Sequence, residues 1–74
     1  MLKIGSAVGN YEIKYIENMT VLAHNPNPKC ATPYVVWDLD FNSKGVHNGR
    51  YFESKWEAGA AFCSVAGSRE EATV

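Results

Sequence analysis

The 74-residue chain has no excess of basic residues, no zinc-type cysteine pattern and no long apolar run. It contains 7 lysines and arginines and 8 acidic residues, so its net charge is −1. This charge does not favour binding to nucleic-acid phosphates. No segment approaches the ~20 apolar residues of a membrane-spanning helix. The first ten residues lack the apolar stretch of a secretory signal. We therefore expect one cytoplasmic domain over residues 1–74, without membrane contact.

The two cysteines, Cys30 and Cys63, match no metal-binding spacing, because no CxxC or HxxxH pattern accompanies them. We expect two free thiols in a reducing compartment. The sequence also lacks a phosphate-binding loop and a Ser-His-Asp spacing. These absences predict a protein that is not an enzyme and binds no cofactor.

Alternation of apolar and polar residues over 11–24, "YEIKYIENMTVLAH", predicts a first β-hairpin with its turn at Glu17 and Asn18. The alternation places Tyr11, Ile13 and Tyr15 on one face of the first strand. A loop rich in proline and asparagine follows over 25–33, because proline cannot donate to a strand ladder.

The segment "YVVWDLDF", residues 34–41, is the strongest strand pattern, and "VHNGRYF", residues 46–52, returns after the turn-forming "NSKG". If Phe41 pairs with Val46, then Asp40 lies opposite His47 and Trp37 lies opposite Arg50. The strand residues expected to face the core are Val35, Trp37, Leu39 and Phe41.

A helix is predicted after the second hairpin, because Ser54 and Glu57 form the S-x-x-E capping box. Gly67 fits a helix stop, which leaves residues 68–74 as a frayed tail. The resulting fold class is α+β: a four-stranded antiparallel sheet of two hairpins packed against one C-terminal helix. The expected core is Trp37, Leu39, Phe41, Phe52, Ala58, Phe62 and Val65, joined by Ile13 or Ile16 with Val21.

The predicted helix has two apolar faces. At about 100° per residue, one face carries a core stripe: Ala58, Ala61, Phe62 and Val65. A second stripe carries Trp56, Ala60 and Cys63. Small residues allow close backbone approach and tryptophan is a common interface anchor, so this stripe predicts a surface for a protein partner or a homodimer. The alternative is that Trp56 folds back over the first helical turn and packs against the Pro-rich loop.

The sheet face away from Trp37 and the residues that surround the second hairpin supply the other candidate sites. An acidic-aromatic set is expected to contact a protein partner: Tyr34, Asp38, Asp40 and Tyr51. A DNA-binding hairpin is the alternative function, and its residues are Lys44, His47 and Arg50. A third alternative is a small metal-dependent enzyme, in which Asp38, Asp40 and His47 hold a divalent cation. An ordinary solvated sheet face is the competing interpretation of the acidic-aromatic set and of the metal site.

The segment "GRYFESKWEAGAAFCSVAG", residues 49–67, resembles the last strand and helix of ethylene-response-factor-type and integrase arm-type DNA-binding domains. That resemblance implies a sheet that enters the major groove. The "PYVVW" strand leading to "GRYF" and a helix also resembles small proteins of bacterial phages and mobile elements. Those proteins include inhibitors of host defence nucleases. The leading expectation is therefore a non-enzymatic module that acts by protein–protein contact, in one version as an inhibitor of a host nucleic-acid-handling protein.

Overall fold

The computed structural model describes residues 2–40, 42 and 44–72, with side chains as far as Gly67. Five strands form one antiparallel sheet, a half-barrel, in which each strand lies beside its sequence neighbour. The elements are β1 (Ala7–Val8), β2 (Tyr11–Glu17), β3 (Thr20–His24), β4 (Tyr34–Leu39), β5 (Val46–Phe52) and α1 (Lys55–Ala72). The α+β class, the antiparallel sheet and the C-terminal helix are confirmed. The predicted strand number of four is wrong, because β1 adds a fifth.

Strand β1 is short and depends on a glycine turn. Gly9 has φ +60°, a conformation that glycine adopts without the Cβ penalty of other residues. The Gly5 amide donates to the Ile13 carbonyl at 2.8 Å, and the Ile13 amide donates to the Ser6 carbonyl at 2.9 Å. The N-terminal segment is therefore tied to β2 by backbone hydrogen bonds, and only a two-residue strand results.

The turn between β2 and β3 is formed by Asn18 and Met19, one residue later than predicted. Both have positive φ, 48° and 61°, as the central residues of a type I′ hairpin turn require. A bulge interrupts β2: Ile13 pairs with Ala23, whereas Tyr15 pairs with Leu22. Neighbouring residues of β3 point to opposite faces, so the prediction that Ile13 and Tyr15 share a face is wrong.

The sheet curls around one face, which we call the inner face. Tyr11 of β2 lies 5.6 Å from the Trp37 ring and 6.0 Å from the ring of Tyr51 on β5. Because β2 and β5 are three strand spacings apart, roughly 14 Å in a flat sheet, these ring contacts agree with the curvature of the half-barrel toward this face. Its buried cluster is Ile13, Val21, Ala23, Val35, Trp37 and Leu39.

The helix packs on the opposite face of the sheet, which we call the helix face. The ring of Phe62 lies 6.4 Å from that of Tyr15, and the Asn18 side-chain amide donates to the Ala66 carbonyl at 3.0 Å. Ala58, Phe62 and Ala66 are buried. The prediction of one core shared by the helix and Trp37 is therefore wrong, since the sheet buries side chains on both faces.

The remaining core expectations have mixed outcomes. Ile13 and Val21 are fully buried, as predicted, whereas Ile16 is partly buried. Phe52 and Val65 are half-buried rather than central. Phe41 lies outside the described residues. Val36, which was not expected in the core, is 2% exposed because it lies under the helix.

The hairpin of β4 and β5 has a different register from the predicted one. Leu39 pairs with Val46, Asp38 with His47 and Val36 with Arg50. The expected pairs of Phe41 with Val46, Asp40 with His47 and Trp37 with Arg50 are wrong. Between the two strands, the Asp40 amide donates to the Gly45 carbonyl at 2.9 Å.

Helix α1 begins as the capping box indicates, because the Trp56 amide donates to Ser54 Oγ at 3.1 Å. It does not end at Gly67 but continues to Ala72. The following "SREEA" contains good helix formers, and one glycine costs only about 1 kcal/mol in a helix interior. Within the described residues, no helix has the length and apolar character needed to cross a membrane.

Candidate functional site

The predicted second stripe of the helix lies on the outside of the molecule. Trp56 is 84% exposed, and Ala60 and Cys63 are also exposed. The buried residues Ala58 and Phe62 lie on the other side of α1. The alternative in which Trp56 packs against the Pro-rich loop is therefore wrong. We call Trp56, Ala60 and Cys63 the outer stripe.

The structure does not bring the acidic-aromatic set together on one surface. Tyr34 and Asp38 lie on the helix face of β4, whereas Tyr51 pairs with Val35 and lies on the inner face, where it contacts Tyr11. Asp40 follows β4 in the loop. The prediction that these four residues share one surface is therefore wrong. The irregularity in the β4–β5 ladder shifts the register, so that Tyr51 lies on the opposite face from Tyr34 and Asp38.

Asp38, Asp40 and His47 lie close together, as expected for a pair of carboxylates beside an imidazole. His47 Nδ1 is 2.8 Å from Asp40 Oδ1, and His47 Nε2 is 4.0 Å from Asp38 Oδ2. Asn48 also donates to Asp38 Oδ2 at 2.9 Å. In the described part of the chain, no group of three His, Cys, Asp or Glu side chains is placed to hold a metal ion. The cluster is a hydrogen-bonded surface pair with a second carboxylate nearby.

The basic residues of the DNA-binding alternative are dispersed. Lys44 lies in the loop, His47 is hydrogen-bonded to Asp40, and Arg50 pairs with Val36 on the helix face. Both faces of the sheet carry buried side chains, the inner face around Trp37 and the helix face under α1. Binding of a DNA groove by this hairpin stays a prediction, and the exposed residues of β5 lie at the edge of the sheet.

A cleft on the helix face is the site that the sequence did not indicate. It has a volume of about 310 Å³ and lies where α1 leaves the sheet uncovered. His24 and Tyr34 are cross-strand partners whose rings lie 4.7 Å apart at 31°. Tyr15 reaches this face only because of the β2 bulge. The lining residues are Lys14, Tyr15, Leu22, Ala23, His24, Tyr34 and Lys55.

Positive charge enters the cleft from two elements. Lys14 comes from β2, where its ammonium group lies 3.0 Å from Glu12 Oε2, and Lys55 is the first residue of α1. Lys55 is exposed and forms no ion pair with any side chain between residues 2 and 67. The described lining contains no carboxylate, so the cleft presents hydrogen-bond donors, two ammonium groups and aromatic rings.

Both cysteines are free, as predicted. The Cys30 thiol lies 3.7 Å from the Tyr11 hydroxyl, which donates to the Thr32 carbonyl at 2.8 Å. Burial raises the pKa of Tyr11 above its ordinary value of 10.0, and the neighbouring Cys30 thiol raises it further. The neutral Tyr11 side chain therefore links the Pro-rich loop to the edge of the inner face through its hydrogen bond to Thr32.

Two surfaces on different sides of α1 thus remain for function. The outer stripe is apolar and faces away from the sheet, whereas the cleft is cationic and aromatic and lies between the sheet and the start of the helix. In comparisons with known proteins, no family model, curated protein or solved structure matches this chain.

Proposed function

We propose that this chain is a non-enzymatic binding module that acts through protein–protein contact, with the outer stripe of α1 as the contact surface. The exposure of Trp56 carries the proposal. A tryptophan side chain offers up to about 250 Å², and its burial at about 25 cal/mol per Å² is worth roughly 6 kcal/mol before the costs of association. With 84% of this residue exposed, nearly all of that free energy is available to a partner.

The order of residue sizes along the stripe favours a second copy of the chain as the partner. The bulky Trp56 lies at the start of the stripe, and the small Ala60 and Cys63 lie one and two turns later, within about 10 Å. A two-fold axis near Ala60 would make two helices antiparallel and place each tryptophan over the small residues of the other helix. This large-to-small match is what a self-complementary interface requires.

The surroundings of the stripe agree with an interface of ordinary anatomy. Glu57 and Ser64 are exposed on the adjoining side of α1, so an apolar centre has a polar rim. A stable interface buries about 800 Å² per partner, which is about a sixth of the 4964 Å² surface of this small chain. The stripe would supply the centre of such a patch.

Sedimentation velocity over a concentration series tests this proposal with two matched variants. Trp56→Glu places a charge in the stripe, while Ile4→Glu changes another exposed apolar residue, 62% exposed, outside the helix. We expect a wild-type dimer that Trp56→Glu converts to a folded monomer and that Ile4→Glu leaves intact. A wild-type protein that stays monomeric throughout contradicts the second-copy interface.

A second readout separates loss of contact from loss of folding. Because Trp56 is exposed in the single chain, Trp56→Glu should leave the unfolding transition of the monomer unchanged to within about 0.5 kcal/mol. A large loss of stability in the monomer would assign Trp56 a structural role within the chain. The phage-type inhibitor of a host nucleic-acid-handling protein is one concrete form of this proposal, in which the surfaces left open by the dimer contact the target.

A further inference from the structure

We propose that the cleft between the sheet and the start of α1 binds a small planar aromatic anion. This site is separate from the outer stripe, because its lining side chains lie on the sheet side of the helix. The proposal rests on the charge, the ring surfaces and the size of the cleft, each of which limits the ligand differently.

The charge of the lining selects for an anion. Lys14 and Lys55 bring two ammonium groups to the cleft from two different elements, and the described lining includes no acidic residue. Glu12 lies beside Lys14 without lining the cleft, and its carboxylate, 3.0 Å away, is a local competitor for that ammonium group. Lys55 has no such competitor among the described side chains, so it is the stronger candidate for direct contact with a ligand anion.

The rings of the lining select for a planar group. His24 and Tyr34 form a tilted stack at 4.7 Å, and Tyr15 is 59% exposed. Aromatic faces of this kind stack with flat ligands, while tyrosine hydroxyl groups and the imidazole offer hydrogen bonds at the ring edges. Leu22 adds an apolar surface between them. An ion without a ring would leave this surface unused.

The size of the cleft and the charge of the chain favour a small molecule over a polymer. A volume of about 310 Å³ lies at the lower end of the range of about 300–1,000 Å³ for small-molecule pockets. The chain as a whole has a net charge of −1, so no extended positive field attracts a polyanion. The proposed ligand therefore has one aromatic ring system and one anionic group. Nucleoside monophosphates and aromatic carboxylates both have this chemistry.

The test uses calorimetry and amide chemical-shift mapping with four probes. AMP and 4-hydroxybenzoate represent the two sources, while inorganic phosphate and adenosine separate the anion from the ring. We expect AMP or 4-hydroxybenzoate to bind with a Kd of about 1 mM or below, at least roughly tenfold tighter than phosphate or adenosine. The shifts should centre on Leu22, His24 and Tyr34. Which of the two binds more tightly identifies the source.

Three charge variants make the assignment specific. Lys55→Met should weaken binding about tenfold or more, because a charge-assisted hydrogen bond is lost. Glu12→Gln should tighten binding severalfold, because it frees Lys14 from its 3.0 Å partner. Lys44→Met is the matched control, because Lys44 follows β4 at the end far from Tyr34 and does not line the cleft. It should leave the Kd of the ligand unchanged.

Three results overturn the proposal. No binding by either ring-bearing anion at 10 mM excludes the site, and shifts centred outside the cleft place the ligand elsewhere. Phosphate binding as tightly as AMP and 4-hydroxybenzoate removes the aromatic part of the recognition. The gain expected for Glu12→Gln is a result that a merely structural role of these residues would not produce. Dimerisation through the outer stripe is measured separately, so failure of one proposal leaves the other standing.

Discussion

Gly49 offers the sharpest test of the curled inner face. A Cβ atom at this position would lie 2.9 Å from Trp37 Nε1 and 3.0 Å from Tyr51 Cε1. Trp37 is only 7% exposed and packs edge-on against Tyr11, so its ring has little room to retreat. Gly49→Ala should therefore overpack the core beneath β5.

The magnitude follows from two opposing effects. Overpacking a core typically costs about 1–3 kcal/mol, whereas alanine in place of glycine recovers up to about 1 kcal/mol by restricting the unfolded chain. We expect Gly49→Ala to lower the free energy of unfolding by about 1–2 kcal/mol and Tm by roughly 4–16 °C for a domain of this size. Thermal unfolding followed by circular dichroism measures both quantities.

Gly59→Ala is the matched control, because a Cβ there meets nothing within 4 Å. It should stabilise the helix by up to about 1 kcal/mol, which is the opposite sign for the same chemical change. Combining Gly49→Ala with Trp37→Phe should recover part of the loss, since the smaller ring leaves space for the methyl group. A Gly49→Ala protein as stable as the wild type would refute the packing of Trp37 against β5.

The remaining predictions concern the helix cap and the Tyr11 hydroxyl. Ser54→Ala removes the acceptor of the Trp56 amide and should cost about 1 kcal/mol in chemical denaturation, whereas Ser54→Asp should retain the stability. Because the pKa of Tyr11 is raised in the folded protein, its stabilising contribution is complete below pH 10 and is lost as pH rises above it. Tyr11→Phe should flatten this alkaline loss in the free energy of unfolding; a pH dependence as steep as that of the wild type would contradict the assignment to Tyr11.

The sequence was most informative where the determining interactions are local. The capping box placed the start of α1, because Ser54 and the first-turn amides are neighbours along the chain. The alternation of apolar and polar residues predicted β4 correctly. The three consecutive apolar residues Val35, Val36 and Trp37 are, in addition, typical of a strand that is buried on both faces. Reading that run as one-sided led to the wrong expectation that the helix covers Trp37.

The alternation of apolar and polar residues could not predict the bulges or the turn at Met19. One extra residue in β2 moves Tyr15 to the helix face, and an irregularity in the β4–β5 ladder separates Tyr51 from Asp38. Each depends on pairing with a neighbouring strand rather than on the pattern of its own strand. The cleft could not be predicted for the same reason, since it needs the β2 bulge, a cross-strand ring pair and the first residue of α1 together.

The strictly sequential strand order has a consequence for how the chain folds. Because every strand pairs with the one before it, each pairing closes only a short loop, and the entropy lost at each step is small. Proteins dominated by such local contacts fold faster than sheets built from distant segments. The hairpins can form one after another along the chain, and α1, which contacts mainly β3 and β4, needs these strands in place before it can dock.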